Sequence, residues 1–314
     1  MSVSAGEIRT LCDNWCIAAR KPEGGFAISG ETEKYRLLAN GVHFHELDFD
    51  ALMASITGLS KVLLLPGLNT VVVQDHFALW SWSAEILLSR HTNFFTHEEH
   101  EVRSLFETCV RASLANCRKP PSGKEEWERQ NKIQEQLPHH ARYFLLNSAL
   151  VLAYLGFPLL ESITKRICSN FVQMDGTVIA PFQVLNKIGN VKEYDPNGRF
   201  NQKQCSNLRD LLFLLYDQIA DPDLKRLLSE FRQHISSLDS TEDPFDIIYK
   251  WRNQSLHGTT NFQTIGGTLL NLTSLICIYQ LRDNYSDLRV KVLEQCRWES
   301  QHEHKSPWSF YPPY

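Results

Sequence analysis

The sequence lacks several short motifs that mark common classes of enzyme. It contains no GxxxxGK[ST] loop, no GxGxxG fingerprint and no GxSxG elbow. The first absence argues against a P-loop ATPase, because that loop cradles the nucleotide phosphates. The other two leave no dinucleotide or hydrolase signature to follow. "HTNFFTHEEH" is rich in histidine and glutamate but does not match HExxH, so we predict no metal site and no cofactor.

The eight cysteines include no CxxC pair. They are scattered through helical apolar patterns, as buried thiols usually are. We therefore expect reduced cysteines in a cytoplasmic protein. The N-terminus "MSVSAGEIRTLCDNWC" has no apolar core of the kind found in secretory signals, so none is expected there.

The chain also lacks a basic excess. It has 32 Lys and Arg against 36 Asp and Glu, a formal net charge of −4. Proteins that coat nucleic acid non-specifically are usually basic, because phosphate contacts dominate their affinity. Any contact with RNA must therefore use a local basic patch. We place candidate RNA contacts at Lys165, Arg166, Lys192 and Arg199.

The 314 residues, 43% hydrophobic and 22% charged, are enough for about two globular domains. Helical periodicity dominates, so we predict a mainly α fold. We divide the chain into a smaller N-terminal region of unknown fold (1–120), a linker helix (121–138), a helical bundle (139–290) and a tail (291–314). Within 28–75, "GVHFHELDFD", "KVLLLPG" and "TVVVQD" favour a small sheet, so the N-terminal region is predicted to be mostly helical or α+β.

Two long stretches, Tyr143–Leu160 and Gly258–Leu281, carry no charged residue. Each is long enough to raise the question of a membrane span. Polar residues interrupt both, so buried core helices are favoured and no membrane is expected. Gly156 and Pro158 predict a kink in the first stretch.

Several short motifs predict where helices begin. Thr96-x-x-Glu99 has the pattern of a capping box. Asp221-Pro222 and Asp243-Pro244 each combine an N-cap acid with a proline in the first helical position. Ser206 is a candidate cap for the helix "LRDLLFLLYDQIA", and "DPNG" at 195–198 predicts a turn.

The helix that begins at Asp243 leads into "WRNQSLHG", which places Arg252 and His257 five residues apart. On a continuous helix these side chains would be rotated by roughly 140° from each other. Asn253 and Ser255 favour turns over helix interior. We therefore predict that the helix ends near Asn253 and that a last helix covers about 260–281. Both side chains would then converge at a helix–helix corner.

This arrangement resembles the HEPN superfamily, whose signature is Arg, four to six residues, then His, between the last two helices of a bundle. The matching residues here are Arg252, Asn253, His257 and Gly258, and "YLGFPLLESITKRIC" is similar to the first helix of such a bundle. The resemblance covers roughly 139–285. It implies a two-fold dimer in which two motifs form one composite ribonuclease site without metal. It also implies a toxin or antiviral defence effector, with a regulatory partner acting through the N-terminal region.

The chemistry that the resemblance implies suits these side chains. The RNA 2′-OH attacks the adjacent phosphate, and His257 titrates near neutral pH, so it can act as base or acid. Arg252 can meet the negative charge of the phosphorane, and Asn253 can orient the imidazole or donate to the phosphate. The expected product is a 2′,3′-cyclic phosphate.

Three other interpretations remain open from the sequence. Arg and His near a helix C-terminus also complement the helix dipole without any chemistry. Some HEPN proteins bind nucleotides or partner proteins and do not cut RNA. The third is an all-helical scaffold with no site.

Overall fold

The computed structural model describes residues 3–65, 72–119, 121–198, 201–255, 261–301 and 310–313. For Ser255 and Ser300 it describes the backbone and not the side chain. Within these ranges the protein has thirteen α-helices and one sheet of two strands. The prediction of a mainly α fold is confirmed at that level.

The first half of the chain contains α1 (Ala5–Ala19), α2 (Gly30–Glu33), α3 (Phe49–Leu64), α4 (Gln74–Leu88), α5 (His100–Leu114) and α6 (Lys124–Gln136). The second half contains α7 (His139–Leu146), α8 (Ser148–Ile167), β1 (Phe182–Leu185), β2 (Val191–Tyr194), α9 (Leu208–Leu214), α10 (Pro222–Ser236), α11 (Pro244–Ser255), α12 (Phe262–Tyr279) and α13 (Tyr285–Gln301). Short 3₁₀ turns cover Leu38–Asn40, Phe44–Glu46, His97–Glu99 and Arg282–Asn284, and a π turn covers Leu215–Ile219.

Helix α12 occupies the centre of the structure. It packs against α8 on one side and against α3 and α4 on others. Every residue from Thr264 to Tyr279 is buried, which is what a helix apolar on all faces requires. Helices from both predicted regions therefore contribute to one hydrophobic cluster. The division of the chain at residue 120 stays a prediction.

A buried polar chain joins three of these core helices. The indole Nε1 of Trp80 on α4 donates to Asn271 Oδ1 on α12 at 2.7 Å. Asn271 Nδ2 donates in turn to Ser60 Oγ on α3 at 2.9 Å. All three residues are buried, so each polar atom needs such a partner. These bonds fix the register of α12 against α3 and α4.

Most of the predicted helix starts are confirmed. Asp221 accepts a hydrogen bond from the amide of Leu224 at 2.9 Å, with Pro222 as the first residue of α10. Asp243 accepts from the amide of Phe245 at 2.9 Å where α11 begins. Thr96 donates its amide to Glu99 at 2.9 Å, ahead of a 3₁₀ turn that leads into α5. The cap of α9 is Asn207, which accepts from Arg209, and not Ser206.

The predicted sheet within 28–75 is wrong for the residues that the structure describes there. "KVLL" forms the last turn of α3, and "FHE" forms a 3₁₀ turn. The sheet lies instead in the insertion after α8, where β1 and β2 pair antiparallel with Phe182 opposite Tyr194. The carboxylate of Asp48 caps α3 by accepting from the amide of Ala51, and the apolar run is buried as part of that helix. Between β1 and β2, Asn186 Oδ1 accepts two turn amides.

The first uncharged stretch contains a bend that was not predicted. Helices α7 and α8 meet at Asn147 and differ in direction by 53°. Helix α8 continues through Gly156 and Pro158, and the kink predicted there stays a prediction. Asn147 caps the break with its side chain, which donates to the carbonyl of Tyr143 at 2.8 Å. A side chain that bonds to the backbone competes with helical hydrogen bonds, and this accounts for the break.

Two segments of the described chain are long and apolar enough to cross a membrane: α12, and α7 with α8 when counted as one bent span. In α12, 89% of the apolar window is buried inside the protein. The expectation that the second uncharged stretch forms a buried core helix is confirmed for the part that α12 covers.

Gly266 lies where α12 packs closely against α8. A Cβ added there would lie 2.7 Å from Leu152 Cγ and 2.9 Å from the backbone nitrogen of Ala153. We expect Gly266→Ala to lower the free energy of unfolding by about 1–3 kcal/mol, because the backbone of α8 cannot yield without repacking. Urea unfolding checks this against Gly30→Ala, where a Cβ meets nothing within 4 Å. A loss as small as that of the control would contradict the account.

The buried imidazole of His76 predicts a loss of stability in mild acid. His76 is fully buried between the amide of Val73 and the carbonyl of Leu59, and burial lowers its pKa to about 4. The unfolded chain takes up this proton near pH 6.5, so stability is complete above 6.5 and is lost as the pH falls toward 4. Between pH 7 and 5 the loss is about 2 kcal/mol.

Urea unfolding at the two pH values measures this change in wild type and in His76→Gln, whose amide can still donate to Leu59. The variant is expected to show a loss that is smaller by about 2 kcal/mol. Equal losses in both proteins would contradict the assignment to His76.

Candidate functional site

The predicted interruption after Arg252 is confirmed by two separate helices. Helix α11 extends to Ser255, two residues beyond the predicted end, and α12 begins at Phe262. The prediction that this is the last helix is wrong, because α13 (Tyr285–Gln301) follows it and covers part of the predicted tail. Asn261 precedes α12 with φ 83°, in the left-handed region. A helix cannot continue through that conformation, so α11 and α12 cannot form one straight helix.

Arg252 lies in the last turn of α11, beside the buried face that anchors this helix. Ile248 and Trp251 on that face are buried in the core. The guanidinium of Arg252 pairs with Glu161 on α8, with 3.3 Å between Nη2 and Oε2. Its side chain keeps 34% of its surface exposed. Arg252 is therefore paired with Glu161 on one side and partly open to solvent on the other.

Glu161 holds two cations at once. Its Oε1 lies 2.9 Å from Nζ of Lys165, one turn further along α8. Lys165 is almost fully buried, whereas Arg252 is partly open. These three side chains together carry a net charge of +1, and the carboxylate of Asp175 also lies within electrostatic range of Lys165.

The other predicted site residues are only partly placed. Asn253 is exposed beside Arg252. His257 falls in 256–260, which lies outside the described residues. Arg199 also lies outside the described residues. The convergence of Arg252 and His257 therefore stays a prediction.

The remaining candidate RNA contacts are engaged within the chain. Arg166 pairs with Glu99 at 2.9 Å and lies over the ring of Phe94, 4.4 Å from its centroid. Lys192 pairs with Asp210 at 2.7 Å. Of the three described candidates, only Lys165 shares a partner with Arg252. Their role in binding RNA stays a prediction.

The structure contains a buried cluster of charged residues that was not predicted from the sequence. Arg209 on α9 donates to Asp246 at 2.6 Å and to Asp210 at 3.0 Å, and all three are buried. Asp210 also accepts from Lys192 and from the hydroxyl of Tyr194, each at 2.7 Å. Burial and this hydrogen bond raise the pKa of Tyr194. The signal in the sequence was an Arg-Asp pair inside the apolar run "LRDLLFLL".

Two open cavities lie away from Arg252. One of about 530 Å³ is lined by Arg166, Phe94, Asp221 and Tyr279 with apolar neighbours. Another of about 460 Å³ lies between the β1–β2 turn and the buried charge cluster.

In the part of the chain that the structure describes, no three His, Cys, Asp or Glu side chains are grouped as metal ligands would be.

Comparison with known proteins gives no relative: no family model, no curated protein and no solved structure matches this chain. The resemblance to HEPN proteins therefore rests on the residues quoted from the sequence.

Proposed function

We propose that this chain is a metal-independent endoribonuclease of the HEPN type, which cleaves RNA by attack of the 2′-OH at a site completed by a second copy. One observation carries the proposal. Arg252 pairs with Glu161, stays one-third exposed, and lies in the last turn of α11, five residues before His257 in the sequence. A helical corner of this kind can bring side chains five residues apart toward one phosphodiester.

The proposed roles follow from the chemistry of each group. Arg252 donates to the non-bridging oxygens as the phosphorane gains charge. His257 removes the proton of the 2′-OH or delivers one to the 5′-oxygen that leaves. Asn253, exposed beside Arg252, donates its amide to the phosphate or to the imidazole. The bond from phosphorus to the 5′-oxygen breaks as the bond to the 2′-oxygen forms.

The local charge supports an anionic substrate. Arg252 presents a partly exposed guanidinium at this corner. This focuses attraction for phosphate at one place on an acidic protein. Selective RNA binding then depends on this corner and not on overall charge. The proposed setting is a cytoplasmic toxin or antiviral defence effector.

The test is RNA cleavage in the presence of EDTA by wild type and by His257→Ala. We expect cleavage by wild type that resists EDTA and is lost in the variant, while His97→Ala, an exposed imidazole elsewhere on the surface, keeps full activity. Cleavage by His257→Ala at the rate of wild type would overturn the proposal. Absence of cleavage by wild type across structured and unstructured RNA would also overturn it.

A further inference from the structure

The C-terminal segment 310–313 lies in a groove formed by α4, α5 and the 3₁₀ turn Phe44–Glu46. Phe310 is buried and Tyr311 is half-buried. The guanidinium carbon of Arg111 on α5 lies 5.0 Å from the centroid of the Phe310 ring. The last residues of a chain usually fray unless specific contacts hold them. This groove supplies such contacts to both the backbone and the side chains of the segment.

Glu85 on α4 binds the backbone of the segment. Its Oε1 accepts hydrogen bonds from the amides of Phe310 and Tyr311, the second at 2.7 Å. Glu85 is itself buried, and a buried carboxylate needs hydrogen-bond donors of this kind. Hydrogen bonds that a carboxylate accepts are stronger than those between neutral groups. The groove therefore binds two adjacent backbone amides at a defined place.

The side chain of Tyr311 has a binding site of its own. Its hydroxyl lies 2.8 Å from Nδ1 of His45. Its ring packs edge-on against the rings of Trp82 and His45, with 5.4 Å between centroids in each pair. Aromatic walls with a polar group at the end match a tyrosine, which has an apolar ring and a polar hydroxyl. The groove therefore distinguishes side chains as well as holding the backbone.

We propose that this groove is a peptide-recognition site for segments that carry Phe-Tyr followed by proline, and that residues 310–313 are its tethered ligand. A partner protein that presents such a segment binds here by displacing the tail. The chemistry of the partner is taken from the tail itself, because the groove contacts the amides, the phenyl ring and the phenol of that segment. This interaction is separate from RNA cleavage.

Contacts within the rest of the protein hold the groove in place. The indole Nε1 of Trp82 donates to the hydroxyl of Tyr285 at 3.4 Å. Burial and the nearby carboxylate of Glu85 raise the pKa of the Cys296 thiol on α13, so this thiol stays protonated and can donate to Glu85. Neither contact involves the tail, and both are expected to remain when the tail leaves. A preformed site of this kind loses little free energy to reorganisation when a peptide binds.

The covalent connection favours the tail over a free peptide. Residues 302–309 connect the end of α13 to Phe310. A short connection of this length gives the attached segment an effective concentration in the millimolar range. An added peptide must compete with that concentration, so its apparent affinity for the intact protein is lowered.

The test measures binding of a labelled Ser-Phe-Tyr-Pro-Pro-Tyr peptide, the sequence of 309–314, by fluorescence anisotropy. It compares full-length wild type with the full-length double variant Phe310→Asp/Tyr311→Ala. The tail of the variant brings a second carboxylate to Glu85 and lacks the phenol, so it leaves the groove empty. We expect the variant to bind the peptide about tenfold more tightly than wild type, or better. Circular dichroism checks that the variant is folded.

Changes in the peptide and in the groove test the contact of Tyr311 with His45. A peptide with the change Tyr311→Phe is expected to bind the double variant about threefold to tenfold more weakly, the usual effect of one hydrogen bond. Adding His45→Phe to the double variant is expected to weaken the original peptide by a similar factor and to remove the difference between the two peptides. His97→Phe, at an exposed imidazole elsewhere, is the matched control and is expected to change neither value.

A folded double variant that does not bind the peptide would overturn the proposal, as would equal binding of the reversed sequence Tyr-Pro-Pro-Tyr-Phe-Ser. Unfolding of the double variant would show that the tail is an integral part of the core, and this result would also overturn it. A wild-type dimer that becomes monomeric in the variant would place the tail in the groove of a second copy and would contradict docking within one chain. No RNA enters these measurements, so their failure is distinct from failure of the proposed nuclease.

Discussion

Replacing Arg209 with methionine is expected to lower the free energy of unfolding by about 3–5 kcal/mol, because it strands two buried carboxylates. Asp246 loses its closest donor, which lies at 2.6 Å, and among the described residues it keeps the ion pair with Lys187 at 3.7 Å. Asp210 retains Lys192 and the Tyr194 hydroxyl but loses a guanidinium at 3.0 Å. Urea unfolding at pH 7 measures the change.

Lys34→Met is the control for Arg209→Met. It breaks the exposed pair of Lys34 with Glu31, where both side chains are more than 60% open to solvent. Solvent screens such exposed pairs, so little change in stability is expected. Adding Asp246→Leu to Arg209→Met removes one stranded charge and is expected to recover about 1 kcal/mol or more. Equal losses in Arg209→Met and Lys34→Met would contradict the account of the buried cluster.

The second large effect concerns RNA cleavage. We expect His257→Ala to lower the rate by about 10²- to 10⁴-fold, the usual contribution of a positioned acid or base. Arg252→Ala is expected to cost about 10²- to 10³-fold, as for other groups that meet developing negative charge. Arg252→Lys keeps the charge but loses the planar fork, so it is expected to recover only part of the rate. Single-turnover cleavage of a labelled RNA measures all three.

The fold offers a control for unfolding in the Arg252 variants. When Arg252 is removed, Glu161 still pairs with Lys165 at 2.9 Å, so no buried carboxylate is stranded. Arg252 itself is one-third exposed. The loss of stability is therefore expected to be small. A fall in cleavage rate would then come from the lost guanidinium and not from unfolding. Wild-type cleavage rates in Arg252→Ala would exclude its proposed role.

Local signals in the sequence predicted local structure well. The Asp-Pro pairs at 221–222 and 243–244 start α10 and α11, because the carboxylate caps the free amides and proline fits the first turn. The break after Arg252 followed from residues that favour turns over helix. The central position of α12 followed from its lack of a polar face.

Features set by tertiary packing were missed. The apolar run "KVLLLPG" fits a buried strand and a buried helix equally well in so short a window, and the upstream cap at Asp48 decides for helix. The bend at Asn147 was not predicted. The pairing of Glu161 with Arg252 was not predicted, since it depends on how α8 and α11 pack.

The most direct test of the nuclease is the need for a 2′-OH. Wild-type protein in EDTA is given two RNAs of the same sequence, one of them carrying 2′-O-methyl at every nucleotide. The account predicts that the unmodified RNA is cut to fragments ending in a 2′,3′-cyclic phosphate and that the methylated RNA stays intact. Cleavage of the methylated RNA, or products with 5′-phosphate ends, would contradict it.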